Sequence, residues 1–391
     1  MPGVVRKQLA LAVILLVASS ASLFAAQFNE SPFLPLDPDI MGKGGSLISD
    51  ASGYGSFFYN PAGYSRGNAT FTTTSSLWVH ARPDQFLNLI VGPKTQTDIL
   101  TFLNDQVTTG GFGMGASMGI GYVGGGLGLG LVVMADSMMF GPTLLGLTGD
   151  LTATVGFIGG LSVPIEGGGY KIHIGGDVRP MIRMHSLLSN SDAIAVLMAL
   201  STGGSVFGAL SSATTVYGVG FALDFGAIAE LGWFTVGLAV RDLGGTMFTY
   251  NQNGFGNVMN SLGSSVKFPP GTPVTGQYII PMDVALGFGF HPDLGTVSQF
   301  FDPSLSMDLH DLFGVIGGTK SMWTLLHLGT AFRLISMFNL ELGLDSGYFT
   351  FGAGLKLLVL DMNFAVFTQE LGAHIGDRPS SGASINMTIR W

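Results

Sequence analysis

The chain has 391 residues, with 60 glycines, 29 phenylalanines, no cysteine and a formal net charge of −9 at pH 7. Charged residues make up only 10% and the mean hydropathy is +0.47, whereas an average soluble domain carries roughly 25% charge, so an ordinary water-dispersed surface is excluded. The acidic balance argues against nucleic acid as a partner, and the lack of cysteine excludes a disulfide framework and a lipoprotein anchor.

Arg6 and Lys7 precede the apolar run Leu9–Val17, and small residues follow from Ala18 to Ala26. This order predicts a secretory signal peptide over 1–26. Cleavage after Ala26 would place Phe24 three residues before the cut, and cleavage after Ala21 is the neater chemical match. Beyond residue 26 no apolar run reaches the roughly 18 residues of a spanning helix. Apolar side chains are instead interrupted at every second position by Gly, Ser, Thr, Asn or Asp. A bilayer accepts only helices or closed barrels, because every backbone polar group must be satisfied internally. The sequence therefore predicts an all-β fold, a transmembrane antiparallel β-barrel in the outer membrane.

Residues 27–68 lack alternation and carry Gly42, Gly44, Gly45, Gly53, Gly55, Gly63, Gly67 and four prolines. They are expected either to hang in the periplasm or to fold into the lumen as a plug. From residue 69 to 391, fourteen alternating segments follow, near 69–81, 111–123, 126–137, 149–163, 169–184, 214–226, 231–242, 278–291, 303–311, 323–335, 338–345, 348–358, 359–369 and 382–391. Side chains of a strand point to opposite faces in turn, and one face is apolar throughout. In the last segment Ala383, Ile385, Met387, Ile389 and Trp391 alternate with Ser384, Asn386, Thr388 and Arg390. Short links alternate with long ones over most of the chain, as periplasmic turns and extracellular loops do in bacterial barrels. An aromatic C-terminal residue such as Trp391 also resembles the signal read by barrel-assembly machinery.

Two of the long links are apolar. Leu188–Leu210 holds Ile194, Val196, Leu197, Met198, Leu200, Val206 and Phe207 at helical spacing, and Phe86–Leu103 holds Leu87, Leu89, Ile90, Ile99, Leu100 and Phe102. Apolar loops facing water need a partner. They pack on one another as a lid, form a surface groove for a lipid-like ligand, or do both. The groove residues would be Phe86, Leu89, Ile90, Leu188, Ile194, Leu197, Met198, Val206, Phe207 and Leu210. On predicted lumen faces lie Arg179, Arg183, Arg241, Arg333 and Lys356, which suit a carboxylate head group. The plainer expectation pairs them with Asp177, Asp283, Asp308, Glu341 or Asp361 across the lumen.

Enzymatic motifs fail on context. Gly115-Ala-Ser117-Met-Gly119 has the spacing of a nucleophile elbow, but that motif needs a strand-to-helix turn and here lies inside an alternating strand. Gly128 and Gly130 likewise sit within a strand, not a nucleotide loop. The seven histidines show no metal-ligand spacing. No enzyme, metal or cofactor is expected.

The run Gly45-Ser-Leu-Ile-Ser-Asp50-Ala-Ser-Gly-Tyr54-Gly-Ser-Phe57-Phe58-Tyr-Asn60-Pro61-Ala62-Gly63 resembles the N-terminal hatch of FadL-family long-chain fatty-acid transporters. His327-Leu-Gly329, Leu342–Gly354 and Glu370-Leu-Gly372 resemble the spirochaetal FadL-like and PorV-like branch of that family. The resemblance implies a hatch over 27–68, carried by Asp50, Tyr54, Phe57, Phe58, Asn60, Pro61 and Ala62. It implies passive transport of long-chain fatty acids or similar small hydrophobic molecules. Cargo would be captured by the outer loops and released inward when the hatch rearranges. The implied partners are that cargo, outer-membrane lipid and barrel-assembly machinery, with oligomeric state left open. The PorV-like side of the resemblance implies instead a structural, secretion-associated or adhesive barrel without small-molecule transport.

Overall fold

The computed structural model describes residues 27–82, 95–143, 146–265 and 267–391. Its strands are β1 (Gln27–Asn29), β2 (Thr70–His80), β3 (Phe112–Gly124), β4 (Leu127–Phe140), β5 (Thr148–Gly167), β6 (Tyr170–Leu188), β7 (Thr214–Leu231), β8 (Phe234–Arg241) and β9 (Thr246–Gly254). They continue as β10 (Thr272–Pro273), β11 (Gln277–Ile280), β12 (Asp283–Phe290), β13 (Phe301–Leu309), β14 (Leu326–Leu334), β15 (Phe338–Asp345), β16 (Tyr348–Lys356), β17 (Leu360–Glu370) and β18 (Pro379–Arg390). All join one sheet, and β18 pairs antiparallel with β2, so the sheet closes on itself. β8 and β9 are two halves of one wall strand, since both pair with β7. β11 and β12 are likewise two halves, pairing with β9 and β8. With β1 and β10 set aside as short additions, the closed wall has fourteen strands.

Sequence alternation becomes the two faces of this wall. On β4, Leu129, Leu131 and Val133 are exposed on the outside while Gly128, Gly130 and Val132 are buried inside. On β18, Ile385 and Met387 point out, and Ser384 and Asn386 are buried. The outward face is an apolar belt, the inward face small and polar. Among the described residues no helix is long and apolar enough to cross a membrane, so the wall strands alone provide the spanning elements. This is the architecture of an outer-membrane β-barrel.

Two differences from the sequence expectation change the architecture. The segment read as ending at 242 continues as β9 to Gly254, and the expected long link 243–277 shrinks accordingly. The interruption is local: Asp242 takes a left-handed φ of 51°, Gly244 and Gly245 are also at positive φ, and the Gly245 N–H closes back on the Asp242 carbonyl at 2.7 Å. Residues 27–29 are also not part of an irregular segment. They form β1, the one parallel pairing among the described residues, which runs beside β11 in register Gln27 with Gln277.

The long-loop end carries helices. α2 (Gln96–Thr109) and α3 (Asn190–Thr202) each start with a capping box, Thr95 with Asp98 and Ser189 with Asp192. With α4 (Val206–Ala209) and α5 (Phe255–Ser265), they bury Leu103, Val107, Val196, Leu197, Leu210 and Phe255 in one cluster. The spacing of apolar residues read along 188–210 thus becomes a helical cap over one side of the barrel mouth.

Candidate functional site

Inside the wall, residues 30–66 thread across the lumen and form its main apolar core. Phe33, Ile48, Phe57, Phe58, Ala62 and Tyr64 are fully buried there. Their neighbours are lumen-face glycines, and this explains why those faces are so small. The Phe57 ring lies against Gly121 and Gly130, the Tyr64 ring against Gly128 and Gly160, and the Pro61 carbonyl against Gly175. A side chain at any of these positions would collide with the segment. The aromatic rings also support one another, Tyr54 with Phe57 at 5.4 Å and with Phe58 at 5.6 Å between centroids, both edge-on.

Polar contacts fix the segment to the wall at several heights around its circumference. Asp308 on β13 accepts the Leu47 and Ile48 N–H groups with one carboxylate oxygen, at 2.6 and 2.7 Å. Thr350 on β16 donates to the Gly42 carbonyl at 3.0 Å and accepts from the Gly44 N–H at 3.1 Å. His327 Nδ1 donates to the Gly44 carbonyl at 2.7 Å. Ser46 meets Ser306 through their hydroxyls. Tyr64 donates to Asp177 at 2.6 Å, and Arg66 pairs with Glu230 at 2.7 Å. Asn60 caps the 3-10 turn Pro61–Ser65 by accepting the Ala62 N–H at 3.1 Å. Its amide nitrogen donates to Ile48 at 3.0 Å and to Leu238 on β8 at 3.2 Å. Asn-Pro-Ala is therefore a turn built to tie one part of the plug to another and to the wall.

Two plug carboxylates are electrostatically distinct. Burial pushes the Asp37 carboxyl up to about 7, with the nearby Asp39 charge adding to the rise. Ser76 donates to it from β2. Glu30 is also buried, which alone would raise it. The hydrogen bond and charge of His185, together with the Arg183 charge, outweigh burial and hold Glu30 below the ordinary carboxylate range.

The five cations read as lumen-facing divide into two groups. Arg179 and Arg183 are fully buried and committed to protein partners. Arg179 pairs with Asp224 and Asp242, both at 3.1 Å, and Arg183 pairs with Glu30 at 3.2 Å while donating to the Ser31 carbonyl at 2.7 Å. Arg241 lies 3.9 Å from Asp224. Arg333 and Lys356 are exposed near the short-turn end, Arg333 3.1 Å from Asp302. Of the acids expected as partners of these cations, Asp283 lies opposite Arg241 and Asp361 opposite Lys356 in the strand register, but the close polar contacts of all five acids go elsewhere. Asp177 receives Tyr64, Asp283 faces His310, Asp308 receives plug N–H groups, Glu341 receives Asn339, and Asp361 pairs with Arg390. Pairing across a tilted wall depends on register, which alternation alone does not specify.

The closed wall, outward apolar belt and plugged polar interior make this an outer-membrane barrel. No family model matches the chain, and no curated protein matches it. Solved structures do. The toluene transporter TodX of Pseudomonas putida is 11% identical over 94% of this chain and 99% of its own, with a TM-score of 0.46. The Ralstonia pickettii toluene transporter TbuX is 12% identical over 91% and 97%, with a TM-score of 0.49. The CymD monoaromatic hydrocarbon channel is 12% identical over 90% and 96%, also at 0.49. At such identities and scores the likeness bears on neither ligand nor mechanism.

The loop residues separate by burial. Leu188, Leu197 and Leu210 are buried in the helical cap, Ile194 and Val206 are half-buried, and Met198 and Phe207 are exposed. Phe86, Leu89 and Ile90 lie outside the described residues. Ser117 sits in the middle of β3, paired in register with Ser76 and Met134, with no turn to present it as a nucleophile. Sequence reasoning missed Asp308, Thr350 and His327 as the plug's receptors. Their only signal was a polar residue on a lumen face, which every barrel strand supplies.

Proposed function

We propose that this chain is a passive outer-membrane channel for small hydrophobic molecules, with long-chain fatty acids as its cargo. One observation carries the proposal. The lumen is filled by a segment held through hydrogen bonds to single wall side chains, with no covalent link. A purely structural wall would need no detachable filling, and a water-filled pore would not tolerate one. Each such bond contributes only about 0.5–1.5 kcal/mol net, or about 1.5–3 kcal/mol where a carboxylate takes part, and burial of Phe33, Phe57 and Phe58 adds about 1.5–3 kcal/mol each, so movement of one part costs far less than release of the whole segment. Cargo would first meet the apolar side chains left uncovered on the helical cap, Met198 and Phe207. It would then descend as the segment around Asp50, Tyr54, Phe57, Phe58, Asn60, Pro61 and Ala62 rearranges. Arg333 and Lys356, exposed toward the short-turn end, would receive a carboxylate head group there.

The close fit of Phe57 and Tyr64 to the wall glycines favours a second reading, a permanently closed structural or secretion-associated barrel. Binding decides between them. Refolded protein is titrated with a labelled long-chain fatty acid and, separately, with toluene, using Phe207→Asp and Leu197→Asp. Phe207 is exposed, so Phe207→Asp should keep the fold and weaken saturable fatty-acid binding. Leu197 is buried, so Leu197→Asp should loosen the whole cap and weaken binding together with cap protection. Saturable binding of toluene alone would move the cargo to aromatic hydrocarbons. No binding of either, with β content intact by circular dichroism, contradicts the transport reading.

A further inference from the structure

The wall is uneven in height. β5, β6 and β7 run 20, 19 and 18 residues, whereas β14, β15 and β16 run nine, eight and nine. At about 3.3 Å per residue and a tilt of about 40°, strands of eight or nine residues rise only about 20–23 Å, short of an apolar band of about 25 Å.

The turns at the short-turn end also differ. Gly124–Gly126, joining β3 to β4, is bare, and Gly167–Gly169, joining β5 to β6, lies beside the Lys171–Glu166 pair at 3.0 Å, while the β7–β8 turn exposes Leu231 and Trp233. Between the low strands they are apolar. The β14–β15 turn is Ile335-Ser336-Met337 and the β16–β17 turn is Leu357-Leu358-Val359. Leu358 is wholly exposed, and Ile335 and Val359 are more than half exposed. Ile335 and Ser336 adopt φ of 52° and 56°. That two-residue turn ordinarily selects Asn-Gly, because a β-branched side chain is strained at positive φ. Ile335 takes this conformation with more than half of its surface exposed, so the turn presents apolar surface outward.

We infer that these two turns are embedded in the periplasmic leaflet of the membrane and complete the lipid-facing belt where the wall is too low to do so. The occupant is lipid because the patch is continuous with a surface that already faces lipid. Leu334, Phe338, Leu355 and Met362 are outward residues of the adjoining strand ends, matched in register as Leu334 with Phe338, Phe338 with Leu355 and Leu355 with Met362. Trp391, largely exposed at the neighbouring strand end, extends the same rim with a residue type favoured at membrane interfaces. The barrel then sits asymmetrically, with its low side immersed to the turn tips and its tall side standing clear of the bilayer.

The chain has no cysteine, so single labels need no background removal. Leu358→Cys and, as the polar-turn reference, Gly168→Cys are labelled with an environment-sensitive fluorophore and reconstituted into phosphatidylcholine vesicles. Quenching by nitroxide-labelled lipid is compared with quenching by aqueous iodide. The expected result is a blue-shifted Leu358→Cys label, quenched by the lipid nitroxide, with a several-fold lower iodide quenching constant than the Gly168→Cys label. Equal iodide quenching at the two sites would overturn the inference and leave the turns in water, available to a periplasmic protein.

Discussion

Asp37 shows how a single side chain can make plug docking depend on pH. It lies just before α1 (Pro38–Met41), accepts the Ser76 hydroxyl and also faces Asn386 and the Asp39 carboxylate. Its carboxyl is raised from an ordinary 3.8 to about 7, by burial first and the Asp39 charge second. A carboxyl whose folded value lies above its unfolded one stabilises the docked state fully below the unfolded value. That contribution is lost as pH rises through the folded one. Protection of the Ile40, Met41 and Gly42 amides, corrected for intrinsic exchange, should therefore fall between pH 5.5 and pH 8. The Asp37→Asn variant should show no such fall. Equal protection at both pH values in the unmodified chain would remove Asp37 from the docking mechanism. The buried arginines work differently. Arg179 sits between Asp224 and Asp242, which it reaches through one guanidinium nitrogen, and a fully buried ion pair of this kind holds register.

At the scale of elements, the wall strand made of β8 and β9 depends on a four-residue break. Asp242 tolerates the left-handed turn, as Asp does more readily than most residues. It also uses its side chain there, accepting from Thr246 at 2.6 Å and pairing with Arg179. Gly245 follows at φ 83°, and a Cβ there would meet the Ile279 side chain of β11. Gly245→Val should cost about 1–3 kcal/mol in backbone strain, beyond the collision, and lower the urea midpoint of unfolding in lipid vesicles. An unchanged midpoint would show that the break is not required. This break was hidden in the sequence because Asp-Leu-Gly-Gly reads as the end of a strand. The continuation Thr246–Gly254 mixes Thr, Asn and Gln with its apolar residues, which blurs the two faces. Strands with an uninterrupted apolar face, such as β15 and β17, were legible almost to the residue. β6 extends past its expected end because its last residues, up to Leu188, run into the cap, where alternation no longer separates lipid from lumen; β7 extends at the other end, to Leu231 beside the short turn at Gly232.

For the whole molecule, the sequence made the wall legible and the fitting of its contents less so. Small residues on the lumen faces signalled room for a filling, and the gap before the first wall strand was long enough to supply one. Which side chains receive that filling depends on strand register and tilt, and Asp308, Thr350 and His327 look like any other lumen residue in the chain. The resulting picture is a closed barrel whose N-terminal segment packs inside it, and the proposed transport requires that segment to move. Locking the segment to the wall tests this most directly. Ser46 on the plug and Ser306 on β13 touch through their hydroxyls, so the double variant Ser46→Cys with Ser306→Cys places two thiols within reach in a chain that has none of its own. Entry of a labelled long-chain fatty acid into proteoliposomes should be lost when the pair is oxidised and return when it is reduced. Equal transport in the oxidised and reduced forms would contradict a moving plug at this contact.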